Sequence, residues 1–424
     1  MTSAPPSPRR PPGRRVGFAV VAWLVVAALV RLVIAQPERC PDVDTAQVTD
    51  ASVAAVDWLV RNQNPAGDWL YRYDRTSGRD LGDYNEVRHG GVIMSLYQAA
   101  RLLPSPAADQ ALASADAGVA WVSTRTRPAA GGVAFGSDSR VRTGATALLV
   151  AGLLERRAAT GSPAYDDDLL AYGRFLVATV EPSGAVLATW DDRAGAFVPG
   201  DYSPFFTGEI FWALAMLDAA FPDEGFGPVA DRVSTYLATE RDEAEDRFPP
   251  VADHWAGYGL AQLHVNRGLT DAEAGYLDRL TDLFGPQVRY ESQRTNSTFS
   301  YLTRGRQTLG AGLGTIGEGL GSMWTVVVDD PRVEHLADDI EERTRCVAGM
   351  LVERQVDAAE AAQGPDPGRS EGAWFQFGIT QMDDQQHALS ALLLTLPMLE
   401  GEPGGAAAGP SSTAGADLDE GDRP

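Results

Sequence analysis

Six almost continuously apolar segments, each preceded by an amphipathic one, constrain this chain more than any other feature. They begin at Arg88 (RHGGVIMSLYQAARLL), Arg142 (RTGATALLVAGLLERR), Phe205 (FFTGEIFWALAMLDAAF), Ala252 (ADHWAGYGLAQLHVN), Ile316 (IGEGLGSMWTVVV) and Asp383 (DDQQHALSALLLTLPML). Helices apolar on every side and interspersed with Gly, Ala and Ser must be packed all round. The partner segments, such as VTDASVAAVDWLVRNQ and PRVEHLADDIEERTRCVAGMLVERQ, place charges on one face and apolar residues at three- and four-residue spacing. A helical pair that cannot bury its apolar face alone stacks on its neighbours, here with a period of roughly 45–70 residues. Six polar-faced outer helices and six apolar inner ones close into a double ring. The expected fold is therefore all-α, an (α/α)6 toroid spanning residues 36–400. Short aromatic stretches around Trp69 to Tyr71 and Val186 to Trp190 are read as turns or small hairpins between paired helices.

The ends of the chain read differently. Met1 to Arg15 is rich in Pro and Arg, and Val16 to Ala35 (VGFAVVAWLVVAALVRLVIA) is long enough as a helix to cross a hydrocarbon core of about 30 Å. Four arginines precede it and every acidic residue follows Pro37, so the positive-inside rule leaves the N-terminus in the cytoplasm and the large domain outside. A signal peptide cleaved near Ala35 is the alternative; export follows from both. The tail 401–424 lacks apolar periodicity and is expected to be disordered. With a net charge of -23 the surface repels phosphate backbones, which excludes nucleic acid as a main partner.

In a ring of this kind the loops entering the inner helices converge on one mouth, and the unusual polar residues concentrate there. Tyr84, Asn85, Arg88 and His89 enter the first inner helix, Tyr202 and Glu209 the third, His254 and Trp255 the fourth, Glu318 the fifth, Gln386 and His387 the sixth. Three of only five histidines, His89, His254 and His387, lie at these entrances, whereas His264 and His335 fall later in their segments. Carboxylates with aromatic neighbours suit sugar chemistry, where one acid protonates a leaving oxygen and a second activates water or attacks. Glu209 and Asp253 are the expected acid and base with Asp384 in reserve; the other entrance residues, Glu318 among them, are expected substrate contacts. Each of these carboxylates is placed in a first helical turn, where capping the free N–H groups is the competing role. No cofactor is called for, and no local His spacing supports a metal site. Gly310-Ala311-Gly312-Leu313-Gly314 is read as a tight turn before the fifth inner helix rather than a phosphate loop, since no strand precedes it and no Lys follows.

The first inter-helix turn, Gln63-Asn64-Pro65-Ala66-Gly67-Asp68-Trp69, resembles the QW repeat of squalene–hopene cyclases and protein prenyltransferases, with a weaker echo at Gly372-Ala373-Trp374. The resemblance implies the α/α toroid, in which that Gln and Trp brace adjacent helices. It does not carry the chemistry over: no D-x-D-D acid lies on an inner helix, Asp383-Asp384 being only part of one, and the Asp, Cys and His zinc set of prenyltransferases is missing. The layout is also similar to six-hairpin glycosidases, polysaccharide lyases and uronate epimerases. The expected function is an extracytoplasmic enzyme, anchored by the N-terminal helix, acting on an envelope polysaccharide, with hydrolysis ahead of elimination or epimerisation. A non-catalytic glycan-binding scaffold and, less favoured, a terpenoid cyclase-like protein are the alternatives. Ring closure would set Cys40, before the first outer helix, beside Cys346 in the sixth; a disulfide clasping the seam and two unrelated thiols are both compatible with the sequence.

Overall fold

A computed structural model describes residues 12–33, 36–308 and 310–401. The Pro/Arg-rich residues 1–11 and the tail after Gly401 lie outside the described residues, and with them the expectations for both.

Twelve helices form two concentric rings. The outer set comprises α1 (Thr45–Arg61), α3 (Ala107–Val122), α5 (Asp166–Thr179), α7 (Gly227–Thr239), α9 (Asp271–Ser292) and α11 (Ala337–Arg354). The inner set comprises α2 (Glu86–Leu102), α4 (Thr143–Thr160), α6 (Phe206–Ala220), α8 (His254–Arg267), α10 (Gly310–Val327) and α12 (Met382–Glu400). Each inner helix packs on the next around the circle, and α12 packs back on α2. The inner helices are buried along most of their length, including every residue of α4 from Thr143 to Glu155, as their unbroken apolar pattern requires. Outer helices keep a polar face, and two of them begin with sequence-coded caps: Asp44 with Gln47 at α1 and Thr270 with Glu273 at α9 each form a reciprocal capping box.

One boundary differs from the reading above. Helix α10 starts at Gly310, so the Gly-rich stretch is helix and Glu318 sits more than two turns inside it. The glycines serve helix packing. A Cβ on Gly314 would lie 2.3 Å from the backbone of His387, and one on Gly317 2.7 Å from the Ala391 side chain. Their three-residue spacing therefore lets α10 lie unusually close against α12.

Eight short strands occur among the described residues, all in loops between outer and inner helices: β1 (Arg72–Asp74), β2 (Arg79–Asp80), β3 (Thr126–Ala129), β4 (Gly132–Phe135), β5 (Arg140–Arg142), β6 (Thr189–Asp191), β7 (Ala196–Phe197) and β8 (Ile379–Gln381). They tie neighbouring entrance loops together. Antiparallel β1–β8 pairing, with Arg72 opposite Gln381, joins the first repeat to the sixth, and β5–β6 joins the second to the third. Gln63 links α1 to α3 by donating to the Ser114 carbonyl at 2.9 Å and accepting from the Ser114 hydroxyl at 2.9 Å. Trp69 lies against Gly118, where a Cβ would come within 2.4 Å of the indole. The seam is also covalent: Cys40 and Cys346 form a disulfide with Cα atoms 4.6 Å apart.

The N-terminal helix spans Pro12–Val33, and its apolar side chains, including Phe18 and Trp23, are exposed. Among the described residues no helix is long and apolar enough to cross a membrane; the stretch whose side chains are described, 16–31, is about 24 Å long.

Candidate active site

The N-terminal ends of the inner helices surround a cavity of about 450 Å³, within the size range of small-molecule sites. Its walls include Glu209 from α6, His254 and Trp255 from α8, Asp383, Gln386 and His387 from α12, Arg88 from α2, and Phe205, Phe206 and Arg142 from the entrance loops. Asn85 lines the rim while its side chain caps α2, accepting from the N–H groups of Val87 and Arg88.

Glu209 is 4% exposed, and its Oε2 has no hydrogen-bond partner. Gly144 makes room for it, since a Cβ there would come 2.1 Å from that oxygen. Burial, reinforced by the Asp253 charge, holds its carboxyl pKa well above the usual range. The shift favours the protonated carboxyl, the form that can act as a proton or hydrogen-bond donor.

His254 and His387 face each other with ring centroids 5.2 Å apart. Their environments differ sharply. His254 is buried, its Nε2 makes no hydrogen bond and lies 3.7 Å from Glu318 Oε2, and burial, aided by the neighbouring His387, drives its pKa well below the usual imidazole value. For His387, burial opposes the charge, but the Glu318 carboxylate 2.5 Å from its Nδ1 overcomes it and raises the pKa. Glu318, fully buried, also accepts from the Tyr258 hydroxyl at 3.3 Å. The two imidazoles are thus shifted in opposite directions, His254 towards its neutral form and His387 towards its protonated one. Trp255, stacked with Trp212 and Tyr258, holds His254 from behind. Gln386 lines the wall with its amide 3.2 Å from His387 Nδ1.

His254, Glu318 and His387 present three potential metal-ligand atoms within 4.8 Å of one another. Two donors on one tetrahedral zinc ion are separated by about 3.4 Å, given bond lengths of about 2.1 Å. At 2.5 Å, His387 and Glu318 are instead placed as a hydrogen-bonded pair.

Several expected site residues do other work. Asp253 caps α8 through the Ala256 N–H and pairs with the buried Arg241 at 2.7 Å, so it is not a free base. Asp384 accepts from the N–H groups of Ala311 and Gln381, both at 2.9 Å, and joins α12 to α10. His89 lies behind the mouth wall. Its Nδ1 shares a 2.7 Å hydrogen bond with the Tyr84 hydroxyl, its Nε2 donates to the Gly118 carbonyl, and Trp121 stacks on the ring. Tyr84 faces a neighbouring cavity, and its hydroxyl also accepts the Trp69 N–H. Tyr202 donates to Glu181 and does not line the cavity.

Asp383 is the residue passed over in favour of Asp384. It lines the cavity, pairs with Arg88 at 2.9 Å through one oxygen and leaves the other unpartnered. Asp383 stands three and four residues before Gln386 and His387, the spacing that puts side chains on one helical face. Arg88 is further held by the Tyr71 hydroxyl and by Gln381 at 2.9 Å.

No protein-family model and no curated protein matches the chain. Solved structures do. A sugar epimerase from a ruminal bacterium aligns with TM-score 0.59 at 12% identity, covering 84% of this chain and 98% of that one. A glycoside hydrolase family 76 mannosidase from Bacteroides thetaiotaomicron aligns with TM-score 0.56 at 12% identity, covering 84% and 99%. A type II terpene cyclase from Scytonema aligns with TM-score 0.50 at 17% identity, covering 84% and 98%. At these identities the likeness shows the fold: an α/α toroid of the kind found in sugar-processing enzymes and terpene cyclases.

Proposed function

We propose that this chain is a sugar-active enzyme that moves a proton at carbon, an epimerase or isomerase working through His254 and His387. The observation that carries the reading is the opposed pair of imidazoles on one cavity wall, because neighbouring groups with divergent pKa values mark acid and base assignments. Neutral His254 removes the proton from the carbon next to a sugar carbonyl. The electron pair of that C–H bond becomes the double bond of an enediol as the carbonyl oxygen takes a proton from His387. Returning the proton to the other face or to the neighbouring carbon gives the product, with no net oxidation. Glu209, protonated, donates a hydrogen bond to a substrate oxygen. The sugar epimerase of like fold supports the class of reaction.

This reading moves away from hydrolysis because Asp253, the expected base, is consumed by a helix cap and Arg241. A hydrolytic reading keeps one specific support: Glu209 and Asp383 both line the cavity, each with an unpartnered oxygen, and the mannosidase of like fold fits it. The N-terminal helix is proposed to hold the enzyme at a membrane with the acidic domain outside the cytoplasm, on the strength of its exposed apolar run and the arginines before it; recovery in the soluble fraction with the helix still attached would remove that assignment.

The test is incubation of the purified chain with mono- and oligosaccharides in D2O. Deuterium appearing at the carbon beside the carbonyl, and lost in His254→Asn and His387→Asn by a factor of about 10²–10⁴, supports proton transfer. Release of reducing ends without deuterium incorporation indicates hydrolysis. Binding without either indicates the scaffold.

A further inference from the structure

The mouth contains a second cavity, of about 650 Å³, lined by the first and second repeats and including Asp68, Tyr84, Trp121 and Arg125. The two cavities share Asn85, Val87 and Arg142 as common walls, so Arg142 stands at the waist between them.

A charge census sets Arg142 apart. In the first cavity Arg88 is neutralised by Asp383 at 2.9 Å, and His387 by Glu318. Burial shifts Glu209 towards its uncharged form. The Arg142 guanidinium forms no ion pair or hydrogen bond among the described residues, although acidic residues outnumber basic ones 58 to 35 in the chain. Its root is rigid. Arg142 is paired opposite Thr189 in β5–β6, and the Thr143 hydroxyl donates to the Leu187 and Ala188 carbonyls. The backbone is anchored while the exposed side chain remains free to turn, and an uncompensated guanidinium at the edge of a reaction cavity is a receptor for a planar or tetrahedral anion, which it can hold through two parallel N–H donors. The second cavity does not extend that preference. Asp83 accepts from the Tyr84 N–H and Glu86 from the N–H and hydroxyl of Ser137 in the second repeat, and with Asp68 and Asp138 these carboxylates outnumber Arg125 and Arg140 there, so an anion is favoured at the waist over the space beyond it.

We infer that the substrate is an anionic sugar whose carboxylate or phosphate is bound by Arg142 at the waist of the mouth. This deepens the sugar reading and rests on it: Arg142 sets the substrate class, while the histidines perform the chemistry.

The experiment is calorimetric titration of the full chain with oligogalacturonate, glucose 6-phosphate and neutral malto- and manno-oligosaccharides. An anionic probe is expected to bind at least about 10-fold more tightly than the neutral ones, the worth of a charge-assisted hydrogen bond. Arg142→Gln is expected to bring that ratio close to one, and Arg142→Lys to restore part of it. Preference for oligogalacturonate identifies the carboxylate as the anion, and preference for glucose 6-phosphate the phosphate. Equal binding of neutral and anionic sugars overturns the inference and leaves the sugar reading standing, as does an anionic preference that survives Arg142→Gln. No binding of either class overturns both.

Discussion

Replacing Glu318 by Gln tests the proposed division of labour between the two histidines. The Glu318 carboxylate, fully buried, and the His387 imidazole, 13% exposed at the cavity wall, are 2.5 Å apart at their nearest atoms. Taking about 4 Å between charge centres and an effective dielectric constant of about 20, their attraction is about 4 kcal/mol. That is a factor of about 10³ in favour of protonated His387. The amide keeps the volume and still accepts from Tyr258, so the packing of α8, α10 and α12 survives while the charge is lost. Burial then acts on His387 against only the weaker pull of Asp383 and Asp384, and its pKa falls towards that of His254. The general acid disappears, and turnover in the D2O assay falls by about 10²–10⁴. The pH profile adds the sign. His387 acts in its protonated form, so wild-type activity declines as pH rises through its raised pKa. His254 acts in its neutral form, so activity on the acid side persists well below the usual imidazole range. In Glu318→Gln the alkaline limb moves to lower pH. Carbon-13 NMR titration of labelled histidine reads His387 directly. An unchanged His387 titration, or unchanged turnover at pH 7, would refute the argument that Glu318 charges it.

Two further outcomes concern the frame. His89 is fully buried, and burial above all depresses its pKa to about 3; the unfolded chain takes up that proton first, near pH 6.5, so stability is lost at about 1.4 kcal/mol per pH unit as pH falls from about 6.5 towards 3. Urea midpoints followed against pH should show a shallower acid decline in His89→Gln, and an identical slope would mean that the ring is not buried neutral. Removing the Cys40–Cys346 disulfide in the double Ser variant frees the unfolded chain of a closure across 306 residues, for a loss of up to about 5 kcal/mol; a thermal midpoint indifferent to the double substitution would contradict the clasped seam.

The ring was legible in the sequence because its cause is periodic. Alternation of one-faced and all-round apolar helices leaves a double ring as the way to bury both kinds of surface. Cap chemistry, Asp44 with Gln47 and Thr270 with Glu273, then sets where two of the outer helices start. Ring closure even brought Cys40 to Cys346. The mouth was legible as a region, since His254, Trp255, Gln386 and His387 all line the cavity. The role of each carboxylate was not. Asp253 and Glu209 both sit at the starts of apolar helices, yet one meets Arg241 and the other keeps an oxygen without a partner. Asp384 caps its own helix while Asp383, one residue earlier, turns to the cavity. Local sequence determines which residues stand at a helix start, but pKa and availability depend on partners far away in the chain, such as Glu318 against His387 and Gly144 beneath Glu209. Burial and charge pairing are properties of the closed ring, and only the tertiary structure decides them.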